Sequence, residues 1–359
     1  GADPRLASDI TAGGAHFLPP ARTIREVEAE YPVAARVRMQ SPGKSGRAAD
    51  AAALGRGVSG FATAFARLKP DWVVVLGDRI EAFAAASAAS IAGLAVCHIH
   101  GGDRAEGIAD EAMRHAISKL SHVHCAASKQ SAERLIRMGE RPSHVHITGS
   151  PAIDGLKAVK PMSDRDAAAL GDPSVAVLLH PAGLADRAEL SWAAATLMLA
   201  TLLSRLVPRE PALEGVLLLS PNHDPGRELI AETWAEAARA GAHTRDHLPR
   251  PAFLSLLRRL AARGGFLVGN SSAGLIEAAA LGVTVIDIGP RQSGRERPEH
   301  VVHLPDPGPR SLAKACGAAI AILVSSPSHG GIRPGGARPP PRTGASPPLP
   351  WFPQASAGL

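Results

Sequence analysis

Cysteine is scarce in this chain. Cys97, Cys125 and Cys316 are the only three in 359 residues, and no two stand at a paired spacing. That excludes a disulfide framework and a structural zinc module, and it fits a reducing compartment. Long apolar runs are lacking too: no stretch approaches the ~18 apolar residues of a membrane span, and no charged-then-apolar leader opens the sequence. The chain therefore reads as cytoplasmic, with no membrane partner. Charge of one sign is nowhere concentrated. The net charge is +6, the basic residues are mostly Arg set among acids, and Arg333, Arg338 and Arg342 of the tail supply three of that excess. A nucleic-acid site gathers its positive charge in one patch, so no nucleic-acid partner is expected.

What the chain has is core-forming sequence, 45% hydrophobic residues over a length that suits two domains of ordinary size. In "DWVVVLGD", "LAVCHIHGG", "HVHCAAS" and "HVHITGSP", short apolar or β-branched runs read as strands. Between them Ile80–Ala92, Asp110–Leu120 and Gln130–Met138 read as helices. The rhythm repeats with strands in "SVAVLLHP", "EGVLLLSPN", "GFLVGNSSAG" and "VTVIDIG" and helices at Arg187–Leu206 and Arg227–Arg239. Apolar strands alternating with helices imply parallel sheets buried on both faces, hence an α/β chain of two doubly wound, Rossmann-like halves. A polar, Pro-containing stretch at Leu156–Asp172 suits a linker, giving domains of 1–160 and 161–325. Nine Pro and no acid in residues 326–359 predict a disordered tail.

Open parallel sheets bind ligands beyond the carboxyl ends of their strands. In this chain those ends are polar: Asp78 and Arg79 after "VVVLG", His98, His100 and Asp103 after "LAVC", His180 after "VAVLL", Asn222 after "LLLSP", and Asn270, Ser271 and Ser272 after "FLVG". Asp110 and Glu111 open the next helix, where acids also serve as ordinary first-turn residues. The turn "GNSSAG" leads into a helix whose free amides suit a phosphate, with Glu277 about one and a half turns further on. His98, His100, His122 and His124 alternate along strands, a pattern of core or site histidines rather than of metal ligands.

The motifs "VVLGDRIEAFAAASAAS", "HIHGGDRAEGIADEAMRHAISKLSHVHCAAS", "GSPAID", "HPAG", "PNHDPG", "VGNSSAGLIEAAALGVTVIDIGPRQSGRERPEHV" and "GAHFLPPARTIREVE" resemble the UDP-N-acetylglucosamine 2-epimerases. The likeness runs from about Gly13 to Val324, and the hydrolysing branch, which releases N-acetylmannosamine for sialic-acid-type sugars, is the nearer match. The resemblance implies two Rossmann-like domains of the glycosyltransferase-B type, the site in the cleft between them and the nucleotide mainly on the second. Ser271 and Ser272 would then hold the diphosphate, Glu277 the ribose, and Arg295 of "RQSGRERPE" a nucleotide-side position. His180 would sit near the phosphates and the departing oxygen. Asp78, Asp110 and Glu111 match catalytic acids, and Arg114 follows in the same motif. His100 stands where some relatives carry glutamate, and Asp103 where close relatives do. Relatives begin with a strand and a Gly- and Arg-containing loop and end with a helix reaching back to the first domain. Against that pattern the first domain is expected to lack its first strand-helix unit.

Inverting carbon 2 of an N-acetylhexosamine requires removing a weakly acidic proton while the nucleotide leaves carbon 1, which calls for a base, an acid and leaving-group stabilisation. In this family the route passes through a 2-acetamidoglucal, to which the hydrolysing branch adds water. The scheme needs no metal and no redox cofactor. A UDP-sugar is the expected substrate, and a homodimer or higher homo-oligomer the expected assembly. Two alternatives share the fold: a nucleotide-sugar glycosyltransferase, which has no need of so many first-domain acids, and an inactive UDP-binding module.

Overall fold

The computed structural model describes residues 5–19, 22–44, 46–104, 110–206 and 215–325, Asp110 by its backbone alone. The tail expected to be disordered lies outside these residues. The chain divides into two compact units, Gly1–Gly149 with His223–Pro225, and Ser150–Asn222 with Gly226–Leu359.

The first unit runs β1 (Ile10–Gly13), α1 (Ile24–Glu30), β2 (Val33–Val37), α2 (Arg47–Leu68), β3 (Trp72–Leu76), α3 (Ile80–Ile91), β4 (Ala95–Ile99), α4 (Asp110–Leu120), β5 (Val123–Ala126), α5 (Lys129–Arg137) and β6 (Val145–Ile147). Strands β3 to β6 form a parallel sheet in chain order, and β1 and β2 pair separately, also in parallel. A sheet that grows in one direction through right-handed crossovers receives all its helices on one face. Val73, Val75 and Val96 accordingly pack against the small residues Ala84 to Ala89 of α3 and against Ile117 of α4. The other face stays accessible: Trp72, Val74 and Leu76 are 49, 61 and 56% exposed. The expectation of strands buried on both faces is thus corrected for β3. Its unbroken apolar run hides the same alternation that a half-covered strand shows.

The second unit runs α6 (Asp164–Ala168), β7 (Val175–Leu178), α7 (Asp186–Ser204), β8 (Val216–Leu219), α8 (Arg227–Arg239), β9 (His243–Arg245), α9 (Arg250–Arg263), β10 (Phe266–Gly269), β11 (Thr284–Ile288), β12 (Val301–Leu304) and α10 (Pro309–Ser325). Its sheet has the order β12-β11-β10-β7-β8-β9, every recorded pairing parallel. Winding proceeds outward in both directions from β7 and β10, so helices cover both faces. Residues of α7, α8 and α10 make one core, and residues of α9 and of the helical segment 272–280 make the other. Strands β8, β10 and β11 are buried along their whole length, as the sequence led one to expect. The polar stretch 156–172 is itself packed: Leu156, Met162, Ala167 and Leu170 join the second unit's core, and the Met162 amide donates to the Ser255 carbonyl at 2.9 Å. No helix among the described residues is long and apolar enough to cross a membrane.

Candidate active site

In the first unit the polar residues gather past the ends of β3 and β4. Arg114 on α4 is 1% exposed, and its guanidinium pairs with the Asp78 carboxylate while Nη1 donates to the Asp103 carbonyl at 3.0 Å. One buried arginine thus ties the turn after β3 to the turn after β4. His98 braces the same place from below. Its Nε2 lies 2.7 Å from the Gly77 carbonyl, so Nε2 carries the proton, and Nδ1 faces the Ser118 hydroxyl at 3.1 Å. Complete burial pushes this imidazole down to about 4, so it is neutral at physiological pH and acts as a fixed strut for the carbonyl preceding Asp78.

His100 sits in the left-handed region, φ 66°, an uncommon conformation for a residue with a Cβ. Its backbone amide is anchored to the Cys125 carbonyl at 3.0 Å. Nδ1 donates to Asp103 Oδ2 at 2.8 Å, and Asp103 Oδ1 takes the Ser131 hydroxyl, also at 2.8 Å. With Nδ1 as the donor, this hydrogen bond to Asp103 selects the tautomer in which Nε2 is the acceptor nitrogen. Gly102 between them has φ 77°, and a Cβ there would overlap the Ser131 carbonyl, so the turn requires glycine. Arg134 donates to the Gly102 carbonyl. Glu111 stands 3.6 Å from Arg104 Nε and 3.6 Å from His115 Nε2. Asp110 opens α4 in the backbone, and its side chain lies outside the described residues. Arg79 is turned to Asp224, which its Nη1 meets at 2.7 Å.

In the second unit the reversal of strand order falls between β7 and β10, the place where such sheets bind ligands. His180 follows β7 and Asn270 follows β10, and the two are joined. The His180 amide donates to Asn270 Oδ1 and Asn270 Nδ2 donates back to the His180 carbonyl, each at 2.8 Å. The backbone amide of Asn222, past β8, donates to His180 Nδ1 at 3.1 Å. Here the neutral ring bears its proton on Nε2, the reverse of His100. Ser271 and Ser272, both half-buried, lead into the helical segment 272–280, and the Ser271 hydroxyl faces the Ala273 amide at 3.4 Å. Glu277 is buried and held through Oε1 by Arg250 Nη1 at 2.8 Å, while Arg250 Nη2 donates to the Ala152 carbonyl.

The structure brings Asp78, His100 and Arg114 together in the first unit and His180, Asn222 and Asn270 together in the second. It leaves Arg79 on Asp224. Of the loop after β11, Arg295 is half-buried, and two other arginines point inward. Arg291 donates to the Pro181 carbonyl at 3.2 Å, and Arg297 pairs with the buried Asp287 at 2.7 Å. Gln292 Nε2 donates to the Asn270 carbonyl at 2.8 Å. Reading the sequence missed Arg250, Arg291 and Gln292. For Arg291 and Gln292 the available signal was the density of donors in "GPRQSGRERPE"; Arg250 had none. No group of three His, Cys, Asp or Glu side chains among the described residues is placed to hold a metal ion.

Comparison with known proteins follows the same lines. The chain is 36% identical over 258 residues to a protein of Legionella pneumophila named UDP-N,N'-diacetylbacillosamine 2-epimerase (hydrolyzing), a match covering 70% of this chain and 65% of that protein. It is 32% identical over 256 residues to the UDP-N-acetylglucosamine 2-epimerase of Neisseria meningitidis serogroup B, covering 70% of this chain and 64% of the relative. The chain thus spans slightly less than two thirds of the length of these relatives. Among solved structures, a putative UDP-N-acetylglucosamine 2-epimerase from Listeria monocytogenes superposes with a TM-score of 0.68 at 20% identity, covering 91% of this chain and 82% of that one. The N. meningitidis enzyme bound to UDP-GlcNAc gives 0.67 at 19% identity, covering 84 and 81%. At such identities the likeness establishes the shared two-domain α/β fold. The profile described as UDP-N-acetylglucosamine 2-epimerase matches residues 2–321, and the chain belongs to that family.

Proposed function

We propose that the protein is a hydrolysing 2-epimerase acting on a UDP-linked 2-acetamido sugar, with UDP-N-acetylglucosamine as substrate and N-acetylmannosamine and UDP as products. One observation carries this reading beyond family membership: two histidines at strand ends are held in opposite tautomers. Carboxylate Asp103 accepts from His100 Nδ1 and so selects the tautomer in which Nε2 is the acceptor nitrogen. The Asn222 amide donates to His180 Nδ1 and so selects the tautomer in which Nε2 carries the proton. Elimination needs both, a base at carbon 2 and a donor to the oxygen leaving carbon 1.

In this scheme His100 and Asp78, the latter set by Arg114, serve proton transfer at the sugar, with Asp110 and Glu111 at the start of α4 as further acids. His180 donates to the departing diphosphate. Ser271, Ser272 and the amides behind them bind that diphosphate at a helix start, and Glu277, fixed by Arg250, accepts from the ribose hydroxyls. Asn270 acts through His180 by clamping its backbone, and Arg291 and Gln292 stabilise that clamp from behind. Arg79, Asn222 and Arg295 complete the nucleotide side. The glycal formed by loss of UDP then takes up water.

Turnover in heavy water tests the scheme. The expected product is free N-acetylmannosamine carrying deuterium at carbon 2, with UDP released in equal amount. His100→Ala or His180→Ala should each lower turnover about 10²-fold or more. Product that keeps its original hydrogen at carbon 2 overturns the elimination, and accumulation of UDP-N-acetylmannosamine overturns the hydrolysing assignment. UDP binding without turnover would make the chain a binding module. The name of the Legionella relative favours a second substrate, UDP-N,N'-diacetylbacillosamine, which belongs in the same assay as a parallel arm.

A further inference from the structure

Two of the three thiols stand together on the first unit's sheet. Cys97 of β4 and Cys125 of β5 are both free and half-buried, with their sulfurs 3.8 Å apart. They lie on the face opposite His98 and His124, the one that leaves Val74 accessible. Val74 pairs with Cys97 from β3, and Cys97 pairs with Val123 of β5. The pair is therefore a dithiol in an apolar setting reachable from solvent.

The register decides what chemistry it suits. Ile99, not Cys97, is the partner of Cys125, so the two cysteines sit diagonally, one strand across and two residues along. Strand spacing and rise place their Cα atoms ~8 Å apart. A disulfide tolerates at most ~7 Å without backbone movement, and movement here would drag the amide of His100 off the Cys125 carbonyl. A bridging centre has no such difficulty. Bonds of ~2.3 Å to each sulfur at the ~100° angle of a pyramidal trivalent centre span ~3.5 Å, within a few tenths of an ångström of the 3.8 Å between the sulfurs. The absence of a third ligand among the described residues argues against a closed zinc site and for a centre that brings its own remaining substituent.

We infer that Cys97 and Cys125 form a chelating dithiol site for a soft, trivalent thiophile of the aryl-arsenical class, the aryl group resting on Val74 and Val123. Cys125 is the entering nucleophile. Its hydrogen bonds from the Cys97 thiol and from Thr148 bring it down to about 7, whereas the Cys97 thiol is pushed up. With phenylarsonous acid, two As–S bonds form and two As–O bonds break. The two thiol protons leave with the hydroxyls as two waters, and arsenic stays trivalent.

The test uses the full reduced chain and phenylarsine oxide, read by intact-mass spectrometry and thiol titration. One adduct per chain, loss of two of the three titratable thiols, and release by a dithiol but not by glutathione are expected. Cys97→Ser and Cys125→Ser should each weaken retention at least 100-fold, and Cys316→Ser should leave it unchanged, circular dichroism verifying the fold of each variant. Three titratable thiols after treatment, or an adduct that survives Cys97→Ser, overturns the site. So does ready formation of a Cys97–Cys125 disulfide with oxidised glutathione, because it would refute the spacing argument.

Discussion

Acid should unfasten the first unit through His98. This imidazole is fully buried and titrates at about 4 in the folded chain against 6.5 when exposed. Between those values the unfolded chain binds a proton that the folded chain refuses, so stability is complete above about pH 6.5 and falls as pH drops toward 4. A displacement of roughly two and a half units, at about 1.4 kcal/mol each, amounts to about 3 kcal/mol. That is a large share of an ordinary domain's stability. The comparison variant is His98→Gln, whose side-chain amide can still donate to the Gly77 carbonyl but does not titrate. Urea denaturation from pH 7 to 4 should show wild type losing about 3 kcal/mol relative to the variant. His124, lowered mainly by its own burial, is present in both proteins and cancels in the difference. Parallel pH profiles would refute the reasoning, as would a His98 imidazole seen by NMR to titrate near 6.5.

Two further outcomes follow from the site. Asp103→Asn removes the carboxylate that accepts from His100 Nδ1; turnover should fall at least tenfold with UDP affinity and fold kept, and unchanged turnover would leave Asp103 a purely structural role. Replacing Ser271 and Ser272 with leucine should weaken UDP binding more than tenfold, or ~1.4 kcal/mol, in calorimetry, and unchanged affinity would remove the helix start from the phosphate site.

Much of this was legible because parallel-sheet strands are apolar and short, so a polar residue at the end of a run marks both a strand terminus and a candidate ligand. That logic points to His180, Asn222 and Asn270, which hydrogen bonds join in the second unit. It did not find α2. Gly55, Gly57 and Gly60 lower helix propensity along Arg47–Leu68, yet the helix forms because two of them are contact points: a Cβ at Gly57 would press on Met39 and Ala84, and one at Gly60 on Val37. Tertiary packing, invisible in propensity, overrides the local cost. Nor did the sequence distinguish β3, half exposed, from β8 and β10, fully buried. All three read as apolar runs, and what separates them is the winding of the sheet that receives them.

The same limit applies to the chemistry. In the sequence His100 and His180 are two histidines after two apolar strands, with nothing local to tell which ring nitrogen of each carries the proton. The difference is made by what each Nδ1 meets. For His100 it is a carboxylate three residues on, reached because the backbone turns through a left-handed conformation and a glycine. For His180 it is a main-chain amide 42 residues away, brought near by the pairing of β7 with β8. The first partner can be guessed from "HGGD". The second belongs to the sheet alone, since any residue but proline at position 222 would supply the same N–H. The tautomer of each ring is therefore a property of topology, and side-chain identity at 222 matters less to His180 than the register that delivers its amide.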